Sequence, residues 1–204
     1  NRWFSSPLAQ GVHRAYAIHL GCENYLRGLD PGVPDEYQDF WKGMSEYLDW
    51  FDILHWSERP LRKDWHHLRS DDKEVAYVWS TEHLFAGCPD LVGEIGGVKV
   101  MADFKTSNGP YMNRFPDKGD RMGFGGFRKY QKCAQQMAAY RLALEERTGY
   151  RCDVALIIVS TPETSQAIFI DGDQMDLAES RFITRCAQFH EMYPPDPQEV
   201  ALKE

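Results

Sequence analysis

The sequence has no long hydrophobic run. Within its 204 residues, the longest convincing apolar stretch is the five-residue segment 155–159, Ala-Leu-Ile-Ile-Val. A helix that crosses a membrane needs about 20 apolar residues, so we expect neither a membrane span nor a membrane partner. No segment near the start has the pattern of a signal peptide. We therefore expect a cytoplasmic protein, in a bacterial or a phage-infected host cell.

Cysteine is scarce and lacks metal-site spacing. The five cysteines are Cys22, Cys88, Cys133, Cys152 and Cys186, and none forms a Cys-x-x-Cys pair. This scatter is typical of reduced thiols in a cytosol-like compartment. It argues against a zinc ribbon and a compact iron–sulfur motif, so we expect no iron–sulfur cluster.

Positive charge is in deficit overall but concentrated in the middle third. The net charge is −8, and residues 1–104, 105–151 and 152–204 carry −7, +6 and −7. A basic tract of this kind can bind a polyanion while the whole protein stays acidic. The alternative is a solvated helix face with an accidental bias. The candidate nucleic-acid-binding residues are Arg114, Lys118, Arg121, Arg128, Lys129 and Lys132.

A Gly-Gly pair marks a tight hairpin in the centre of the chain. Gly96-Gly97 separates two apolar runs, and both positions can adopt the positive φ of a two-residue hairpin loop. Pairing outward from this loop puts Asp90 opposite Asp103, with Cβ atoms about 5 Å apart. Lys105 projects from the same face as Asp103, because side chains alternate along a strand. The alternative interpretation is that this hairpin is a surface ribbon with solvated charges.

Apolar neighbours indicate that the hairpin acids are at least half buried. Buried carboxylates must be paired, protonated or bound to metal. Two opposed acids call for a positive charge between them, and carboxylate oxygens suit the hard ions Mg²⁺ and Mn²⁺. The sequence therefore predicts one or two such ions at Asp90 and Asp103.

The order of the predicted elements favours an α/β fold, a mixed β-sheet flanked by helices. We expect one domain, with a helical part at 1–52, a core at 53–170 and a C-terminal helix at 171–204. Residues 107–127 are predicted to form a long loop, which is usually functional or disordered. Helices are predicted at about 8–29, 34–51, 128–147 and 173–193, and strands outside the hairpin at about 53–61, 75–85, 153–160 and 166–170.

Four short motifs, in this order, resemble the RecB-like branch of the PD-(D/E)XK nuclease superfamily. The likeness extends from about residue 15 to 145. It implies a restriction-endonuclease-like core with an N-terminal helical elaboration. The motifs are Ala17-Ile18-His19 followed by Glu23 and Tyr25-Leu26-Arg27-Gly28, Gly87-Cys88-Pro89-Asp90, Asp103-Phe104-Lys105-Thr106, and Gln136-Met137-Ala138-Ala139-Tyr140.

The resemblance implies roles for these residues in phosphodiester hydrolysis. Asp90 and Asp103 would coordinate the metal, with His19 and the backbone carbonyl of Phe104 as further ligands. Lys105 would hold or deprotonate the attacking water, or donate to the phosphate. The remaining implied residues are Gln136 and Tyr140, which share a helix face toward the active site, and Glu58, an upstream acid and metal ligand.

Some of these assignments have rivals. His13 competes with His19 but lacks the downstream spacing, and Glu82 competes with Glu58. The pair His66-His67 has metal-ligand chemistry, but its charged surroundings favour a surface position. The aromatic candidates for stacking on unpaired bases are Trp3, Trp65, Tyr111, Phe115 and Phe124.

The resemblance implies a metal-dependent deoxyribonuclease of DNA repair, recombination or phage DNA metabolism. The favoured activity is that of an exonuclease on single-stranded DNA or duplex ends. An endonuclease of the same fold and a catalytically silent nucleic-acid-binding scaffold are the alternatives. CRISPR adaptation exonucleases of this family hold an iron–sulfur cluster with four cysteines, a set that is not found here. Protein partners are not indicated.

Overall fold

The computed structural model describes residues 7–70 and 76–195. Their fold is α/β, with a mixed five-stranded sheet between two helical layers, as the sequence predicts. The helices are α1 (Pro7–Leu26), α2 (Gln38–Leu48), α3 (Arg121–Thr148) and α4 (Gly172–Met192), with 3-10 turns at Asp35–Tyr37 and Lys63–Leu68. The strands are β1 (Ile53–Ser57), β2 (Val78–Ser80), β3 (Phe85–Gly87), β4 (Leu91–Ile95), β5 (Val98–Thr106), β6 (Val154–Ser160) and β7 (Ser165–Ile170).

The sheet has the order β1-β4-β5-β6-β7. Its one parallel pair within the described residues is β5 with β6, and α3 provides the long crossover that a parallel pair requires. The central hairpin has the predicted register, from Ile95 opposite Val98 to Leu91 opposite Ala102. Gly96 and Gly97 form its loop with φ of 58° and 81°. Hairpin and register are thus confirmed.

Alternation along the strands divides the core into two layers. On β5, Ala102 and Phe104 pack with α1 and α2, whereas Met101 packs with α3 and α4. Strand β6 does the same, with Ile158 on the first face and Ile157 on the second. Because Asp103 lies between Ala102 and Phe104, it projects from the α3 face.

Helix α3 begins earlier than predicted, at Arg121 and not near 128. The Asp120 side chain caps it by accepting a hydrogen bond from the Gly123 amide at 2.7 Å. The preceding loop lies against this first part of the helix, so that a Cβ on Gly126 would lie 2.8 Å from the Pro110 carbonyl oxygen. Gly126, one of the glycines that indicated a loop, thus allows a close backbone approach within the helix, and the connection is shorter than predicted.

The predicted strands at 53–61 and 75–85 are also shorter than expected. Strand β1 ends at Ser57, because Glu58 turns into the left-handed region with a φ of 55°. The described part of the second region forms the small hairpin β2–β3, which packs on α3. No described helix is long and apolar enough to cross a membrane.

Candidate metal centre

The backbone around Asp90 is fixed from three directions. The Glu58 amide donates to the Asp90 carbonyl at 2.8 Å, and the buried Trp56 indole donates to the Pro89 carbonyl at 2.6 Å. The Phe104 amide donates to Asp90 Oδ2 at 2.7 Å. The Asp90 side chain thus continues the hairpin ladder beyond Leu91, and it is held in place before any ligand binds.

His19 reaches this carboxylate from helix α1. Its Nε2 lies 3.0 Å from the Phe104 carbonyl oxygen, and its Nδ1 lies 3.3 Å from Glu58 Oε1 and 3.8 Å from Asp90 Oδ2. The ring also contacts the Phe104 ring edge to face. The His19 and Glu58 side chains are 29% and 31% exposed, so the cluster is open to solvent on their side.

His19, Glu58 and Asp90 each offer a ligand atom, and these atoms lie within 4.8 Å of one another. The imidazole nitrogen of this set suits borderline cations such as manganese or zinc. The carboxylate oxygens favour harder ions. The Phe104 carbonyl borders the same space through its contact with His19. The three residues come from distant parts of the chain: His19 from helix α1, Glu58 from the turn after β1, and Asp90 from the position before β4.

Glu58, and not its rival Glu82, lies in this cluster. The Glu82 side chain is 80% exposed and pairs with His83. The positive φ of Glu58 is uncommon for a residue with a side chain, and such backbone strain is concentrated at functional sites. The rival histidine His13 also lies elsewhere, beside Tyr37 and Glu36. His66 and His67 are exposed, as predicted.

Asp103 is close to this cluster but faces Lys105. Its side chain is 1% exposed, and Lys105 Nζ lies 2.5 Å from Asp103 Oδ2. Neither carboxylate oxygen has a donor in regular hydrogen-bond geometry, so the contact is an ion pair. The Lys105 side chain is 25% exposed. Asp103 is not one of the three residues whose ligand atoms lie within 4.8 Å.

The electrostatics reflect crowded buried charges. Burial raises the pKa of Asp103 to about 6, and the Asp90 charge adds to this shift, while Lys105 opposes it. Burial also raises the pKa of Asp90, against the charges of His19 and Lys105. Burial lowers the pKa of His19, but the Glu58 hydrogen bond and the charge of Asp90 outweigh it and raise the value to about 9. The acids beside His19 thus favour a positive charge at its position.

Gln136 and Tyr140 lie one turn apart on the same side of α3, and the Gln136 amide donates to the Tyr140 hydroxyl at 2.9 Å. The Tyr140 ring lies directly against Gly87, where an added Cβ would be 2.1 Å from Tyr140 Cε1. This contact explains the glycine of the Gly-x-x-Asp motif: the ring occupies the space that any other side chain would need.

A Gly87→Ala variant is expected to lose about 2 kcal/mol of unfolding free energy, because an aromatic ring cannot yield as a flexible chain end can. Urea unfolding followed by circular dichroism measures this loss. The matched control is Gly109→Ala, because a Cβ there meets nothing within 4 Å. In a Tyr140→Ala background, where the ring is absent, the Gly87→Ala change should cost no stability, so the double variant should be as stable as Tyr140→Ala alone. Equal losses at Gly87 and Gly109 would contradict the steric argument.

Three charged residues attach the end of α1 to the turn that carries Glu58. Glu23 pairs with Arg27 at 2.5 Å and with Arg59 at 3.5 Å. The sequence motif included Glu23 and Arg27 without assigning them a role, and Arg59 was missed. Its position directly after Glu58 was the available signal.

The candidate nucleic-acid-binding residues lie in the loop before α3 and along the first half of that helix. Arg114, Lys118 and Arg121 are exposed, in the loop before α3 and at its first residue, and Lys129 donates to Ser107 Oγ at 2.8 Å. Arg128 and Lys132 line two adjacent pockets beside α3.

Two aromatic candidates for base stacking were wrong. Trp65 and Tyr111 are 2% and 8% exposed, because both pack into the core beneath α3. Phe115 is 71% exposed and contacts Phe124 edge to face, so this pair remains accessible. Trp3 lies outside the described residues.

Comparison with known proteins adds little to this geometry. No family model matches the chain, and no curated protein matches it. Thirteen solved chains match, and one of them is described as "Crystal structure of SSO0001", with 16% sequence identity and a TM-score of 0.30. That match covers 55% of this chain and 43% of that chain, so this chain spans less than half of the solved one. A functional assignment must rest on the site itself.

Proposed function

We propose that this protein is a metal-dependent deoxyribonuclease of the PD-(D/E)XK type, acting on DNA ends. The observation that carries the proposal is the convergence of His19, Glu58 and Asp90 next to the buried Asp103–Lys105 pair. Structural ion pairs are common, but a cluster of one histidine and three acids with a single lysine, gathered where β1 and β5 end and β4 begins, is difficult to explain by stability. Buried like charges lower stability unless a cation lies between them.

The residues fit a divalent cation of the Mg²⁺ or Mn²⁺ class. The donor set is one imidazole nitrogen and several carboxylate oxygens, and both oxygens of Asp103 lack a regular hydrogen-bond donor. His19, Glu58 and Asp90 would hold the cation, with Asp103 and the Phe104 carbonyl beside it. Such an ion, when bound, lowers the pKa of a water molecule and neutralises charge on the phosphate.

The remaining groups position the substrate. Lys105 holds its ammonium group against Asp103 and is one-quarter exposed, so it can donate to an oxygen of an incoming phosphate or to the attacking water. Gln136 and Tyr140 present an amide and a hydroxyl from the adjacent helix, where they can hydrogen-bond to the DNA backbone. The mixed sheet flanked by helices supports the proposal, because the resemblance to this superfamily implies such a core.

The test compares linear and covalently closed DNA substrates. We expect Mn²⁺ or Mg²⁺ to support degradation of linear DNA, EDTA to abolish it, and closed circles to remain intact. Cleavage of the circle would replace the exonuclease with an endonuclease of the same fold.

Calorimetric titration with Mn²⁺ separates cation binding from cleavage. The wild-type protein should bind the ion, and His19→Ala should weaken binding at least about tenfold through loss of one ligand. His67→Ala is the matched control, because His67 is exposed and contacts only the Asp64 carbonyl among the described hydrogen bonds. Cation uptake without cleavage of either DNA would overturn the nuclease proposal. No cation uptake would overturn the metal centre.

A further inference from the structure

A groove runs between helices α3 and α4 on the outer side of the sheet. We use this name for two neighbouring pockets of about 600 and 480 Å³, both of which Gln135 lines. Five of the α3 residues that line it form a row with four-residue spacing, about one helical turn apart. These residues are Phe124, Arg128, Lys132, Gln136 and Tyr140.

Helix α4 contributes a second row with the same spacing. It consists of Leu177, Arg181, Arg185 and Phe189. Both rows thus place two cations in their middle, with aromatic or apolar side chains at the ends. Arg185 Nη1 donates to Gln135 Oε1 across the groove at 3.2 Å, so the two helices share polar contacts at its centre.

The groove is positive although the protein is not. Among the described residues that line either pocket, none is acidic. Two acids of α4 lie on another side of the helix, where Asp176 and Glu179 pair with Arg141 at 3.7 and 3.0 Å. A protein of net charge −8 thus keeps a local surface that is complementary to a polyanion.

The second pocket approaches the metal centre through one of its lining residues, Tyr140. Gln136 and Tyr140 line the second pocket, and the Tyr140 ring lies against Gly87, three residues before Asp90. From Arg128 to Tyr140, α3 advances about 18 Å, or about five stacked nucleotides.

We propose that this α3–α4 groove binds a single, unpaired DNA strand and leads it toward the metal centre. The direction of the strand rests on the proposed function, whereas the binding itself does not. Cations can pair with successive phosphates, and exposed rings such as Phe189, 54% exposed, can stack on bases. The axes of packed helices lie about 8–10 Å apart, so the cleft between their side chains is too narrow for a DNA duplex.

The test measures binding in EDTA, where a cleavage defect cannot interfere. The probe is a fluorescent oligothymidylate of roughly 20 nucleotides, followed by anisotropy at several salt concentrations. Arg181→Gln with Arg185→Gln should weaken binding about tenfold or more. It should also reduce the slope of log affinity against log salt by about 1.4, because two phosphate contacts are lost. The matched control is Lys42→Gln with Lys63→Gln, which removes two exposed cations elsewhere.

A second variant pair separates stacking from charge. Phe189→Ala should weaken binding of the oligothymidylate about tenfold, whereas Phe189→Trp should bind as the wild type does, because an indole also offers a flat aromatic face. Both are surface changes, so a melting curve equal to that of the wild type is expected and excludes misfolding.

The possible results distinguish failure of the groove proposal from failure of the nuclease proposal. If both arginine changes leave affinity equal to that of the control, the groove assignment is overturned, even if the wild type degrades DNA. If the arginine changes abolish strand binding in a protein that never cleaves, the groove assignment stands and the nuclease fails. Equally tight binding of duplex DNA or of polyglutamate would overturn the preference for an unpaired strand, polyglutamate pointing to an acidic protein partner.

Discussion

An Asp103→Asn variant is expected to fold like the wild type and to degrade linear DNA about a thousandfold more slowly. Asparagine has nearly the same size as aspartate, so the substitution leaves no cavity at a site that is 1% exposed. Burial and the Asp90 charge raise the pKa of Asp103 to about 6, so the charged form is held there at a cost to stability. Removing this charge relieves the repulsion but also removes an anionic oxygen from the site.

Initial rates on end-labelled linear DNA in Mn²⁺ measure the effect, and a melting curve checks the fold. Asp153→Asn is the matched control. Asp153 is an exposed acid at the start of the β5–β6 ladder, where its Oδ2 accepts a hydrogen bond from the Lys99 amide at 3.1 Å. The catalytic role of Asp103 would be rejected if the two variants cut at similar rates.

A Lys105→Met variant should behave in the opposite way and lose about 3 kcal/mol of unfolding free energy at neutral pH. Lys105 lies 2.5 Å from Asp103. Burial lowers the pKa of Lys105, but the charges of Asp103 and Asp90 more than reverse this and raise it. Methionine keeps the bulk of the side chain and removes the cation, leaving two buried acids side by side.

The double variant Asp103→Asn with Lys105→Met is the decisive control, because it removes both partners of the ion pair. It should recover most of the lost stability in urea unfolding, although it stays inactive. If the double variant is as unstable as Lys105→Met alone, the loss comes from packing around residue 105, and the electrostatic account is wrong.

The elements predicted correctly from the sequence are those with local causes. The hairpin register follows from Gly96-Gly97, whose positive φ values no neighbouring element has to impose. Strand β6 follows from an unbroken buried aliphatic run. The start of α3 was missed because Gly123 and Gly126 serve a contact with the preceding loop, which is a tertiary cause.

The candidate site divides in the same way. Asp90, Asp103 and Lys105 come from one hairpin and could be placed by alternation along two strands. His19 and Glu58 lie far from it in the chain, and only the resemblance suggested them. Arg181 and Arg185 could not be found at all, because residues 152–204 carry a net charge of −7. Which side of α4 each charge occupies depends on how that helix packs.

The candidate metal-binding atoms belong to segments that the ribosome makes at different times. His19 belongs to the first helix, and β5, which carries Phe104, gains its parallel partner only when β6 has emerged after a 28-residue helix. Contacts between such distant segments form late in folding. We therefore expect that a nascent or truncated chain that ends before β6 does not yet hold these atoms together.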